Sequence, residues 1–214
     1  MPDTTRDTQR CTGGRIIEAL RRTRPFALLI FLAYVLSSAV GIVMAHAGNR
    51  VALAARNKTV RKALASDEAS IAYQSGNPAR AVVFDFAGNL FMAAIPQTVA
   101  GLGVALPFIS VAYQGWVGGV VSVDCAHRSR LRSIKAASYY FLVLLLQFIP
   151  FSLSIGAGVR CGVDLYRHNS DVSWRFWRYR LPRESLVDVA RVYAATVPLF
   201  FVASAFEFFS PWNA

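Results

Sequence analysis

Charge is what this 214-residue chain has little of: Asp, Glu, Lys and Arg make up 16% of it, against roughly 25% in an ordinary soluble domain, while 55% is hydrophobic. Few charges alone fit a large buried core, so their placement decides. From Pro25 to Met44, Ala81 to Val123, Ala136 to Val159 and Val192 to Ser210, only Asp85 and Glu207 are charged, and every Lys and Arg lies elsewhere. Such segregation excludes a typical water-soluble globule and marks apolar helices immersed in lipid.

Acidic residues are scarce as well, 12 against 23 basic. In a soluble protein that excess would point to nucleic acid; beside apolar spans it points to anionic lipid headgroups, with no nucleic-acid partner. The three cysteines, Cys11, Cys125 and Cys161, are too few and scattered for a disulfide framework. His46, His127 and His168 fall in separate hydrophilic segments, which argues against a metal site. No phosphate-cradling Gly-x-x-x-x-Gly-Lys-Ser/Thr, His-Glu-x-x-His or Gly-x-Ser-x-Gly pattern occurs. A catalytic centre or cofactor therefore has no residues to recommend it, and the expectation is that the chain is not an enzyme.

What is present is a series of apolar spans. A basic segment, residues 1–25, leads into a first transmembrane helix at 26–45, about the ~20 residues needed to cross the ~30 Å hydrocarbon layer. Ala45-His46-Ala47 resembles a leader cleavage site, but the long arginine-rich lead-in favours a retained anchor. Residues 46–80 form a hydrophilic segment whose first part, Arg50 to Ala65, reads as an Ala-rich surface helix, ended at the Gly76-Asn77-Pro78 turn. Residues 81–123 are too long for one crossing and suit two, with Gly101-Leu102-Gly103 as the corner. Pro96 and Pro107 flank that corner, so a broken or re-entrant hairpin around residues 96–107 is the alternative to two full crossings. Further spans follow from Ser138 to about Val159 and in the last segment, 192–214.

The expected architecture is an all-α polytopic transmembrane helical bundle of about five spans. With the amino terminus in the cytoplasm, the inner side carries thirteen Lys and Arg and the outer side ten, and a single crossing at 81–123 would reverse the bias. The expected location is a membrane, crossed several times.

Polar residues inside apolar runs are expensive and so informative. Asp85, Asn89, Gln114 and Gln147 are candidates either for bonds between helices or for a polar pathway, and Gln97 and Glu207 share that setting. Small residues four apart mark faces where backbones approach closely: Gly115 with Gly119, and Ser154, Gly158 and Gly162. Those faces are expected to pack within the protomer, a homo-oligomer seam being the alternative. Residues 167–191 form a basic and aromatic interfacial segment, in which Trp174, Arg175, Trp177, Arg178 and Arg180 suit the headgroup layer.

The order of these features is similar to the stage II sporulation protein M family of polytopic bacterial inner-membrane proteins. The resemblance covers residues 81–166 and is carried by Asn89, by Gly101 and Gly103, by Gln114-Gly115 with Gly118 and Gly119, and by Gln147-Phe148-Ile149-Pro150 running on to Gly158-Val159-Arg160-Cys161-Gly162. That family commonly has a Pro-His-Gly triplet followed by Glu; here Leu142-Val143-Leu144 precedes Gln147, so a role resting on a buried His and Glu does not carry over. The resemblance implies a non-enzymatic integral subunit of the bacterial inner membrane that scaffolds or stabilises a larger envelope complex with other membrane proteins. A permease-like transport subunit with a separate energising partner is the alternative, on the strength of glycine- and proline-broken helices with amides at mid-membrane depth.

Overall fold

A computed structural model of the chain describes residues 4–124, 126–168 and 182–209. Helix α1, Thr4–His46, runs unbroken through Pro25, and at 1.5 Å per residue its 43 residues extend about 65 Å. The basic lead-in and the first span are thus one rod, roughly twice as long as the hydrocarbon layer is thick. It ends where Gly48, at φ +72°, takes the left-handed turn a side chain would resist, and the Asn49 carboxamide oxygen then accepts from the Val51 and Ala52 amides to start the next helix.

The hydrophilic stretch is two helices, α2 (Arg50–Ser66) and α3 (Glu68–Gln74), with Asp67 capping the second through the Ser70 amide. Gly76, at φ +78°, turns the chain, and Asn77 caps α4, Pro78–Ala87, through the Arg80 amide with Pro78 in its first turn. From α4 the helix continues as a wide π-turn over Gly88–Ala94, then α5, Ile95–Ala100, and a tight 3₁₀ turn at Gly101–Gly103. The wide turn sits just ahead of Pro96, which has no N–H to give the Met92 carbonyl; Ile95 bonds back to Leu90 instead. Val104, a β-branched residue at φ +56°, then throws the chain into α6, Leu106–Val120.

A short connection bridged between Val123 and Ser129 leads to α7, Ile134–His168, and the last helix is α8, Arg183–Phe209. No strand occurs among the described residues.

Four stretches are long and apolar enough to cross a membrane: Gly13–His46, Pro78–Gly103, Ile134–Arg167 and Arg183–Phe209. The expectation of about five spans is met only this far. Helix α6 has 15 residues, about 22 Å, short of the ~30 Å hydrocarbon layer. It lies along α1 in the same direction, Gly115 beside Tyr34 and Gly119 beside Gly41, so the chain does turn back after Gly103. Helix α7 runs the other way, setting Phe148 on the Tyr34 ring at 4.6 Å and Gly156 on Ala27.

Helix α7 is the axis of the bundle, with 56% of its apolar window buried against 28% for each of the other three spans. Around it a core of Ile30, Tyr34, Val111, Phe151, Ile155 and Phe200 closes, the rings of Phe151 and Phe200 meeting edge to face at 4.9 Å. On the outside, Leu28, Leu32, Leu36, Val40 and Val43 of α1, Ile109 of α6 and Val202 of α8 are more than half exposed. An apolar exterior in continuous helical stripes fits a membrane protein, for which lipid completes the burial.

Candidate functional site

Asp85 lies about two turns into the second long stretch, and its Oδ2 accepts from two side chains. Asn89 Nδ2, a turn further along, donates at 2.8 Å, and Ser204 Oγ, from α8, donates at 2.6 Å. Three residues beyond Ser204 on the same helix, Glu207 Oε2 accepts from Gln147 Nε2 of α7 at 2.5 Å. Asp85, Asn89, Gln147, Ser204 and Glu207 therefore gather where α4, α7 and α8 meet. Helix α3 lies over this junction, Tyr73 packing on Phe208 at 5.6 Å.

Gln114 stands apart. Its Oε1 accepts from the Tyr34 hydroxyl at 2.8 Å, tying α6 to α1. Of the four polar candidates, three share the junction and one belongs to another seam, and none of them lines the two apolar grooves between α1 and α7. Gln97 is buried beside Thr98, with its Oε1 unpartnered. The Thr98 hydroxyl meets the Ser154 carbonyl at 3.1 Å and the Tyr193 hydroxyl at 2.8 Å, joining α5, α7 and α8.

The glycines occupy two seams. A Cβ on Gly115 would come within 2.7 Å of the Tyr34 carbonyl oxygen and one on Gly119 within 2.8 Å of the Ile42 amide, so α6 lies backbone to backbone against α1. Gly158 abuts Thr98, and a Cβ on Gly162 would stand 2.6 Å from the Gly101 carbonyl oxygen, so this second pair seats the Gly101–Gly103 corner against α7. Ser154, next in the same series, returns its hydroxyl to the Pro150 carbonyl at 2.9 Å.

At the opposite end of the bundle an ionic knot escapes sequence reasoning. Asp188 of α8, its side chain 2% exposed, takes Arg160 of α7 at 2.8 Å and Arg191 at 2.9 Å, with Arg22 of α1 at 3.4 Å. Arg22 also reaches Glu184 at 2.6 Å and Glu18 at 3.3 Å, and Asp164 accepts from Ser185 at 2.7 Å. One buried carboxylate among three guanidiniums on three helices is a fastening, because the low local dielectric strengthens each contact and both Asp188 oxygens are taken by guanidiniums. The only sequence signal was the i, i+4 spacing of Arg160 and Asp164, whose groups lie 3.6 Å apart.

In the loop between α6 and α7, outside the spans, Asp124 accepts from the Arg128 and Ala126 amides at 2.8 Å each and from the Arg128 guanidinium. The Arg128 amide, with these other donors, holds the Asp124 carboxyl below the usual carboxylate range. Buried Arg56 of α2 donates to the Val123 carbonyl at 3.2 Å and fixes this loop to the surface helix.

Cys161 is buried and free, and among the described residues no group of His, Cys, Asp and Glu is arranged to hold a metal. The interfacial candidates Trp174, Arg175, Trp177, Arg178 and Arg180 lie outside the described residues.

Fold and site together define a class: a helical bundle with an apolar exterior, whose internal polar side chains tie helix to helix. Within that class the chain matches no family model, no curated protein and no solved structure.

Proposed function

We propose that the chain is a non-enzymatic integral membrane subunit that scaffolds or stabilises a larger complex of the bacterial inner membrane. The carrying observation is the use of its intramembrane polar groups. Asp85, Asn89, Gln114, Gln147 and Glu207 all bond to neighbouring side chains, four of the five directly across helices and the fifth, Asn89, through the Asp85 oxygen it shares with Ser204 of α8. A transport path needs polar groups free to exchange partners with a substrate; a scaffold needs them locked. The resemblance to the stage II sporulation protein M family runs the same way. In this reading α6 is a fifth, short crossing and the amino terminus is cytoplasmic.

Purification in mild detergent followed by mass spectrometry of everything retained tests the role. A membrane or envelope protein held at fixed stoichiometry supports it; a chain that isolates alone and moves a solute in liposomes defeats it. Accessibility of single cysteines placed at Ala47 and at Leu131 tests the topology, both being expected to react from the outer face.

A second reading, a permease-like subunit with a separate energising partner, draws on one arrangement. Asp85 and Glu207 sit on facing helices with Ser204 a turn from Glu207, and neighbouring carboxylates in lipid suit proton uptake and release. Proton flux in proteoliposomes that disappears on Asp85→Asn and Glu207→Gln favours this reading over the scaffold.

A further inference from the structure

The arginines of the bundle divide into two kinds. Arg22, Arg160 and Arg191 face inward and are paired with carboxylates. Arg21 and Arg24, on the outer face of the same stretch of α1, are exposed and have no hydrogen-bond or ion-pair partner among the described residues. The two flank a groove of about 640 Å³ between α1 and α7, whose walls are otherwise almost wholly apolar, with Leu28, Phe31, Ile149 and Leu153 among them. Ser152, 3% exposed, lies in the wall of this groove, its buried hydroxyl without a partner. At Phe31 the groove meets a second one, about 270 Å³, that follows the same seam past Val35 and Leu144.

Cations beside an apolar slot form a two-part recognition site. From Arg24 to Val35 the seam descends about 16 Å along α1, which is the depth of one leaflet of the ~30 Å layer. A guanidinium grips a phosphate with two parallel N–H donors, and the nearest acid on α1, Glu18, is already held by Arg22. Among the described residues the lining of the groove holds the two cations, Arg21 and Arg24, and no carboxylate.

We infer that this groove is a binding site for one anionic diacyl phospholipid, its phosphate on Arg21 and Arg24 and an acyl chain along the α1–α7 seam. This rests on the chain being embedded in a membrane and not on the scaffold role. The site would hold lipid along the open side of two helices that close on each other at Gly156 with Ala27 and at Phe148 with Tyr34.

The test uses the whole protein, reconstituted in nanodiscs of phosphatidylethanolamine and phosphatidylglycerol at three to one, released into detergent and weighed by native mass spectrometry. One retained phosphatidylglycerol per chain is expected, enriched about fivefold over its share of the bilayer. Arg21→Gln with Arg24→Gln should abolish the enrichment, and Lys58→Gln with Lys62→Gln on α2 should leave it intact. Leu28→Trp, which fills the slot while keeping both arginines, should reduce the lipid retained. Enrichment that survives loss of Arg21 and Arg24, or equal retention of phosphatidylethanolamine, overturns the site. A chain soluble without detergent overturns the membrane reading itself, and a chain that isolates without protein partners but with its lipid overturns only the scaffold.

Discussion

The Ser204 hydroxyl donates to Asp85 Oδ2 at 2.6 Å, across 119 positions of sequence. Nothing local to either residue announces the pair, yet it joins the last helix to the second long stretch within apolar runs, where a bare carboxylate is costly. Ser204 is fully buried, so Ser204→Ala deletes a donor that water does not replace. We expect a stability loss of about 0.6–1.7 kcal/mol, the range of such bonds between membrane helices. In an Asp85→Asn background the same substitution should cost measurably less. Reversible unfolding in mixed micelles checks this; equal losses in both backgrounds would show the bond to be energetically silent.

Asp188 should be the most sensitive position at the other end. With its carboxylate gone, Arg22, Arg160 and Arg191 keep their charges in a partly dry setting, and breaking a buried pair by removing one partner costs about 3–5 kcal/mol. Asp188→Asn should therefore lower the melting temperature far more than Asp164→Asn, whose contact to Arg160 is longer, at 3.6 Å, and whose side chain is 29% exposed against 2% for Asp188. Melting followed by thiol-reactive dye at Cys161 compares the two, and matching melting points would deny Asp188 its central place.

Neighbouring glycines of α6 should respond oppositely. A methyl on Gly119 collides with the α1 backbone, so Gly119→Ala should destabilise by about 1–3 kcal/mol. One on Gly118 meets the ends of Leu144 at 3.4 Å and Phe148 at 3.8 Å, both ordinary contacts, so Gly118→Ala should be neutral or stabilise by about 0.5–1 kcal/mol, as replacing a helical glycine does where space exists. Thermal unfolding of the two variants decides the matter.

Acid should loosen the loop between α6 and α7. Because the native Asp124 carboxyl titrates below the ordinary range, its contribution is complete above the pH at which an unfolded carboxylate ionises. It disappears as pH falls through the lower native value, when the acceptors for the Arg128 and Ala126 amides are protonated. Hydrogen exchange at these two amides should accelerate relative to the rest of the loop at low pH, and Asp124→Asn should show the faster exchange already at neutral pH. Rates that track the wild type at neutral pH would contradict this.

Much of the fold could be read in advance because lipid imposes one coarse demand, that long runs carry no charge. The segregation of charge marked the four long stretches, the Ala-rich segment from Arg50 marked α2, and Gly101-Leu102-Gly103 marked the corner. Helix α6 was harder, since its 15 helical residues lie in an apolar run with no polar boundary between Val104 and its start. Of the site, the spacing of Gly115 with Gly119 and of Gly158 with Gly162 said that some backbone must come close, because glycines four apart share a helix face. It could not say that the first pair receives α1 and the second the corner before α6.

The sequence by itself determined which segments are apolar, where they start and stop, and which faces are free of side chains, since each follows from a residue and its near neighbours. Tertiary structure alone decided the partners: Tyr34 for Gln114, Ser204 for Asp85, Gln147 for Glu207, and three arginines for Asp188. A buried polar group must find a partner, but many in this chain could serve, and only the packing of whole helices around α7 brings one particular donor within hydrogen-bond distance.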